Sequence, residues 1–209
     1  MPPFTVLTAA AVPLPIAKID TGMILPGRYM RRHRRPGHDY GEAFLRDVRF
    51  DEHEQPRPDC PLNDPAYGKP EILLTGADFG CGSSREGAAY AVMDYGLRAL
   101  IGPSFADIFY GNCLQNGILP VVLDEAVCRR LRAAVERAKG GMITIDLPRQ
   151  FVIGPHGDAN PFAMDPLRKD RLISGLDDID VTQAHGEQIA ALEARRRASC
   201  PWLPVTSQA

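Results

Sequence analysis

The sequence has no surplus of charge of either sign: 24 basic and 26 acidic residues among 209 leave a net charge of −2, with a pI near 6.2. No global positive field exists to hold nucleic acid or an anionic membrane surface, so neither is expected as a partner. No apolar run approaches the roughly 20 residues of a membrane-spanning helix, and Met1-Pro2-Pro3-Phe4 lacks the basic n-region of a secretory signal. A cytoplasmic protein is expected. Cysteine is sparse and scattered: Cys60, Cys81, Cys113, Cys128 and Cys200 form no C-x-x-C pair, and no histidine stands at metal-ligand spacing. The chain therefore reads as reduced, with no recognisable metal or iron–sulfur site of its own. Internal repeats and low-complexity tracts are also missing.

What is present is an ordinary globular composition, 44% hydrophobic and 24% charged. At this length one compact unit over 1–209 is expected. Glycine and proline number 19 each, together about 18% of the chain against a typical roughly 12%, which implies long, turn-rich connections. Short β-prone pieces broken by prolines between Phe4 and Leu25 suggest small antiparallel strands. From Arg28 to Asp64 the text is proline-rich, with the basic run Arg31-Arg32-His33-Arg34-Arg35 and few apolar residues; a stretch this long inside a compact unit is functional or mobile.

The middle alternates. Strands are expected at 71–75, 98–101, 118–123 and 142–147. Helices are expected at 85–95, at 103–115 with Ser104 as N-cap, and after Asp124, on the stripe Val127, Leu131, Ala134, Val135, Ala138. Such βαβ order implies an α/β fold with a mainly parallel sheet flanked by helices. A strand pair at 151–153 and 161–163 follows. Next come a helix from Asp165-Pro166 to the stop at Gly175, a last helix over 182–197, and a frayed tail over 199–209.

Asp78-Phe79-Gly80-Cys81-Gly82-Ser83-Ser84-Arg85-Glu86 is the segment suited to chemistry. Gly80 and Gly82 allow positive φ and close backbone approach, the serines fall at a helix start, and Arg85 offers a fork for a carboxylate or phosphate. Two readings stand side by side: an anion site, or a plain helix start with Ser83 and Glu86 as a capping box. The Walker pattern, a third glycine of G-x-G-x-x-G, and a Gly-x-Ser-x-Gly elbow are all missing, which leaves nucleotide binding and serine hydrolysis weak.

This segment, with Gly102-Pro103-Ser104-Phe105-Ala106-Asp107-Ile108-Phe109-Tyr110-Gly111-Asn112-Cys113, resembles the small subunit of 3-isopropylmalate dehydratase, the detached swivelling domain of the aconitase superfamily. Ile19-Asp20-Thr21, Ile24-Leu25-Pro26, Arg28-Tyr29-Met30, Asn63-Asp64-Pro65 and Ser174-Gly175-Leu176-Asp177 extend the resemblance nearly end to end. It implies a single swivelling β/β/α domain over 1–209, with 28–64 as a loop that reads the substrate and faces a partner. It implies a hydro-lyase that isomerises 2- and 3-isopropylmalate by dehydration and rehydration in leucine biosynthesis. Activity would require a large subunit whose 4Fe-4S cluster acts as Lewis acid; this chain would bind no cofactor or metal.

By the same resemblance Ser83 is the catalytic base, and Ser84, Arg85, Tyr29 and Met30 bind the dicarboxylate substrate. Gly80, Gly82, Asp20 and Thr21 support the loop. Cys81, judged by residue type alone, reads as a small packing residue in preference to a redox or ligand role. Two positions depart from the pattern: Gly87 stands where the family has histidine and Gly22 where it has a second aspartate. They leave two alternatives, a paralogous hydratase of a methyl- or dimethylmalate-type diacid, and a non-catalytic binding subunit.

Overall fold

The computed structural model describes residues 1–30, 34 and 40–203, Asp178 by its backbone alone. Of the basic run, Arg31, Arg32, His33 and Arg35 lie outside the described residues, as do His38 and the end of the tail. The chain gathers into two compact units, Met1–Gly175 and Leu176–Ala209, where the sequence suggests one.

The first unit is built on a seven-stranded sheet of order β4-β3-β2-β1-β5-β6-β7. Its strands are β1 (Val6–Leu14), β2 (Ile72–Thr75), β3 (Ala99–Gly102), β4 (Leu119–Val122), β5 (Met142–Asp146), β6 (Phe151–Ile153) and β7 (Ala159–Pro161). Strands β1 to β4 run parallel, while β5, β6 and β7 pair antiparallel beside β1. The α/β class holds, and the sheet is mixed. The parallel strands are buried almost throughout, as expected where helices cover a sheet. Helices α3 (Glu86–Tyr95), α4 (Asp107–Gln115) and α5 (Glu125–Arg137) supply the connections and cover. One-turn helices α1 (Thr21–Ile24) and α2 (Arg46–Arg49) precede them.

The largest revision concerns the N-terminus. In place of short antiparallel pieces, β1 is a nine-residue strand at the centre of the sheet. Its Pro13 is tolerated for a definable reason. Ala10 accepts from Glu71 on the β2 side and Ala11 donates to Gly141 on the β5 side. By alternation Pro13 turns its nitrogen to the β5 side, where pairing has already ended at Ala10, so no ladder bond is lost. The pieces at 16–19 and 23–25 are not strands: Asp20 accepts from Met23 N at 2.8 Å and caps α1 instead.

Ser104 does not cap α4, which starts at Asp107 after Ala106, because its hydroxyl is taken by Asp78, as described below. Strand β7 lies two residues earlier than expected. Helix α6 (Pro166–Ser174) begins and ends as read, with Asp165 accepting from Arg168 N and Gly175 at φ 70°.

In the second unit the single late helix is two. Asp177 and Asp180 form a capping box that starts α7 (Asp178–Gln183), and α8 (Gly186–Ser199) follows. No residue of α8 is buried.

Candidate functional site

The site forms where the chain leaves the carboxyl ends of the parallel strands, the usual place for ligands of open α/β sheets. The segment after β1 and the segment after β2 continue side by side past the sheet. Lys18 N donates to Ala77 O at 2.7 Å, Gly80 N to Ile19 O at 2.7 Å and Thr21 N to Cys81 O at 2.9 Å. Asp20 and Cys81 form a parallel bridge, and Phe79 bridges to Phe105 after β3. Three connections are thus joined by backbone bonds before any side chain is considered.

Within this frame Gly80 and Gly82 have φ of 80° and 88°, which disfavours any residue with a Cβ. A Cβ on Gly80 would also enter the Phe109 ring. Phe79 and Phe109 meet edge-on, centroids 5.6 Å apart, and fix the floor of the turn. Thr21, 2% exposed, donates from Oγ1 to the Ser83 carbonyl at 2.9 Å. Asp20, Thr21, Gly80 and Gly82 are therefore brought together beneath the serines.

Ser83 and Ser84 are exposed and precede the helix. Helix α3 is capped at Arg85, with no side-chain cap bond. The expected capping box of Ser83 and Glu86 does not form, and neither serine hydroxyl is engaged by another described residue. Arg85 has no carboxylate partner among the described residues; its Nη1 lies 3.9 Å from the Met30 sulfur. The other arginines nearby are committed: Arg28 to Asp47, Arg34 to Asp94, Arg46 to Glu54. An uncommitted guanidinium beside two free hydroxyls at the mouth of a helix is an arrangement for an anion.

Met30 is brought to Arg85, and Tyr29 is not: its ring lies beneath the Arg28 guanidinium at 4.8 Å. Arg28 in turn holds the Asp47 carboxyl below the usual carboxylate range through a direct hydrogen bond. The two glycine departures flank the same side chains. A Cβ at Gly22 would sit 3.1 Å from Asp20 Oδ1 and 3.9 Å from Arg85 Nη1, and one at Gly87 3.1 Å from Leu25 Cδ2 and 3.8 Å from Met30 Cε.

Sequence reasoning missed one supporting pair. Asp78 adopts φ 57°, uncommon for a residue other than glycine though aspartate tolerates it. Its amide donates to Ser104 Oγ at 2.9 Å, and that hydroxyl donates back to Asp78 Oδ1 at 2.7 Å. An aspartate opening a glycine-rich turn was the available signal.

Among the described residues no three His, Cys, Asp or Glu side chains gather to hold a metal ion. All five cysteines are free. Burial pushes the Cys128 thiol up to about 11 and raises Cys113 and Cys60 as well, which keeps them protonated and poor as ligands. These residues do not fit an iron–sulfur cluster. No described helix is long and apolar enough to cross a membrane.

The family model of the aconitase C-terminal domain matches residues 1–126, and that of LeuD_N matches residues 129–166. The model for the C-terminal domain of the 3-isopropylmalate dehydratase small subunit matches residues 178–206. The 3-isopropylmalate dehydratase small subunit of Rhodospirillum centenum is 46% identical over 202 residues, covering 97% of this chain and 98% of that protein. The corresponding protein of Paramagnetospirillum magneticum is 44% identical, covering 97% and 100%. The crystal structure of 3-isopropylmalate dehydratase (leuD) from Methanocaldococcus jannaschii has the same fold, with a TM-score of 0.65 and 22% identity over 90% of this chain and 99% of that one. From the matched family models and the near-full-length relatives, the chain belongs to the 3-isopropylmalate dehydratase small-subunit family of the aconitase superfamily.

Proposed function

We propose that this chain is the small subunit of a cytoplasmic hydro-lyase that interconverts 2- and 3-isopropylmalate in leucine biosynthesis. The observation that carries the chemistry is the Ser83-Ser84-Arg85 turn, two exposed hydroxyls that no described residue engages beside a guanidinium with no carboxylate partner among the described residues. The names of the relatives favour isopropylmalate over a methyl- or dimethylmalate. Met30 beside Arg85 suits the same choice, since an apolar side chain adjoins the carboxylate grip and a branched alkyl group needs apolar surface.

Arg85 would grip a substrate carboxylate with two N–H donors, and Ser84 would contact the oxygens of the same group. Ser83, as alkoxide, would take the proton from the carbon next to a carboxylate. The C–H pair becomes the C=C bond and the adjacent hydroxyl departs with its own pair. Rehydration places hydroxide on the carbon that lost the proton, and Ser83 returns its proton to the other carbon. A serine hydroxyl is far too weak an acid unaided; the Arg85 charge and the start of α3 favour the alkoxide. Both serines are exposed, so another surface must exclude water over them. A large subunit is the expected cover, and the 4Fe-4S cluster belongs, in this reading, to that subunit.

Reconstitution with the large subunit tests the assignment. Ser83→Ala should lower kcat by at least about a hundredfold with little change in KM. A Ser83→Ala complex with full activity would remove the serine from the mechanism, and a wild-type complex inactive on isopropylmalate but active on another malate would replace the substrate.

A further inference from the structure

Helix α3 carries Arg85 at its start and, near its end, holds a second residue of the segment that presents Met30. Arg34 donates from Nε and Nη2 to the two carboxylate oxygens of Asp94, at 3.0 and 2.8 Å. The Asp94 side chain is 0% exposed and that of Arg34 20%. Tyr40 N donates to the same carboxylate at 3.3 Å, and the Arg34 guanidinium lies 4.0 Å over the Tyr90 ring. Gly41 is pressed so closely on Asp94 that a Cβ would overlap the Asp94 carbonyl. Phe44 then packs on Tyr95 with tilted rings, centroids 4.8 Å apart. Positions 30 and 34 are thus gripped by one rigid element at Arg85 and Asp94, about 13 Å apart along its axis.

This pair differs from the others made by the same segment. Arg28 and Asp47 are both more than half exposed, and in the Arg46 pair the Glu54 carboxylate is 59% exposed, where ion pairs contribute little. A buried carboxylate is costly to desolvate, and apolar packing would cover α3 at lower cost. What a buried bidentate fork adds is a fixed direction and distance.

We propose that Asp94, acting through Arg34, is a positioning residue for the dehydratase reaction, fixing the placement of Met30 against Arg85. This rests on the substrate-binding roles given to those residues above. Asp94 touches no reacting atom, so its loss falls on substrate binding and leaves the chemical step intact.

In the reconstituted complex, Arg34→Ala is expected to raise KM for 2-isopropylmalate about tenfold with kcat within twofold of wild type. Arg34→Lys, which keeps the charge without the fork, should fall between the two. Asp94→Asn should match Arg34→Ala, and the double variant should be no worse than either alone. In the isolated chain, trypsin should cleave after Arg28 several-fold faster in Asp94→Asn than in wild type. A KM within twofold of wild type for Arg34→Ala overturns the proposal, as does a loss in which kcat and Tm fall together. If the wild-type complex does not act on isopropylmalate, the assignment of function fails by itself. The trypsin comparison then decides the anchor, and equal cleavage rates overturn it.

Discussion

Two regions meet at the site and are held by different forces. The turn from Gly76 to Arg85 is joined to its neighbours by main-chain bonds at Lys18, Gly80 and Thr21 and by glycines at positive φ. The segment from Arg28 to Asp64 buries Phe44, Leu45 and Leu62 in the core, and its described remainder is tied by arginines, to Asp47, Asp94 and Glu54, and by cation–π contacts to Tyr90, Phe50 and Tyr95. Main-chain bonds fix a position whatever the side chains are. Arginine contacts fix it through groups that a single substitution can retune. A turn that must place a base and a segment that must recognise a substrate call for these two kinds of restraint.

Substitutions can break the contrast from either side. The largest effect on stability is expected at Gly80→Ala, which both forces a side chain into positive φ and drives it into Phe109. A loss of roughly 2–4 kcal/mol in urea unfolding, with activity lost alongside, is expected. Arg85→Lys should leave unfolding unchanged and raise KM about tenfold, because the fork for a carboxylate is lost while the charge stays; unchanged kinetics would take the carboxylate grip away from Arg85. Thr21→Val removes the bond to the Ser83 carbonyl and should cost about 1 kcal/mol, with kcat falling more than KM rises.

The smallest effect lies in the arginine-held segment. The Asp47 carboxyl is lowered from 3.8 by Arg28, so its contribution is present above that value and is lost as pH falls through the lower native one. With both side chains more than half exposed, acid unfolding of Arg28→Ala and wild type should differ by less than about 1 kcal/mol above pH 4 and converge below it.

The parts legible in the sequence are those decided locally. The strand–turn–helix order from Glu71 to Leu147 follows from apolar periodicity and glycine stops, and the Gly80 to Arg85 turn from its own residue types. Distance decides the rest. Pro13 argues against a central strand until its neighbour's early departure is known. Ser104 has the chemistry of a cap, but Asp78, 26 residues earlier, competes for its hydroxyl and wins. Arg34 and Asp94 lie 60 residues apart, and nothing near either one announces the other. The antiparallel course of β5 beside β1 is likewise a matter of pairing partners, which periodicity does not name.

A proline also guards the sheet against growth. Strand β4 is an outer edge, and since Leu119 and Leu123 donate inward to Arg98 and Gly102, Pro120 between them turns its nitrogen outward. Where β5 has left β1, the stretch around Pro13 is buried and presents no open edge. An incoming strand would meet a missing donor in the middle of β4, so that edge discourages edge-to-edge pairing without any charged residue being needed there.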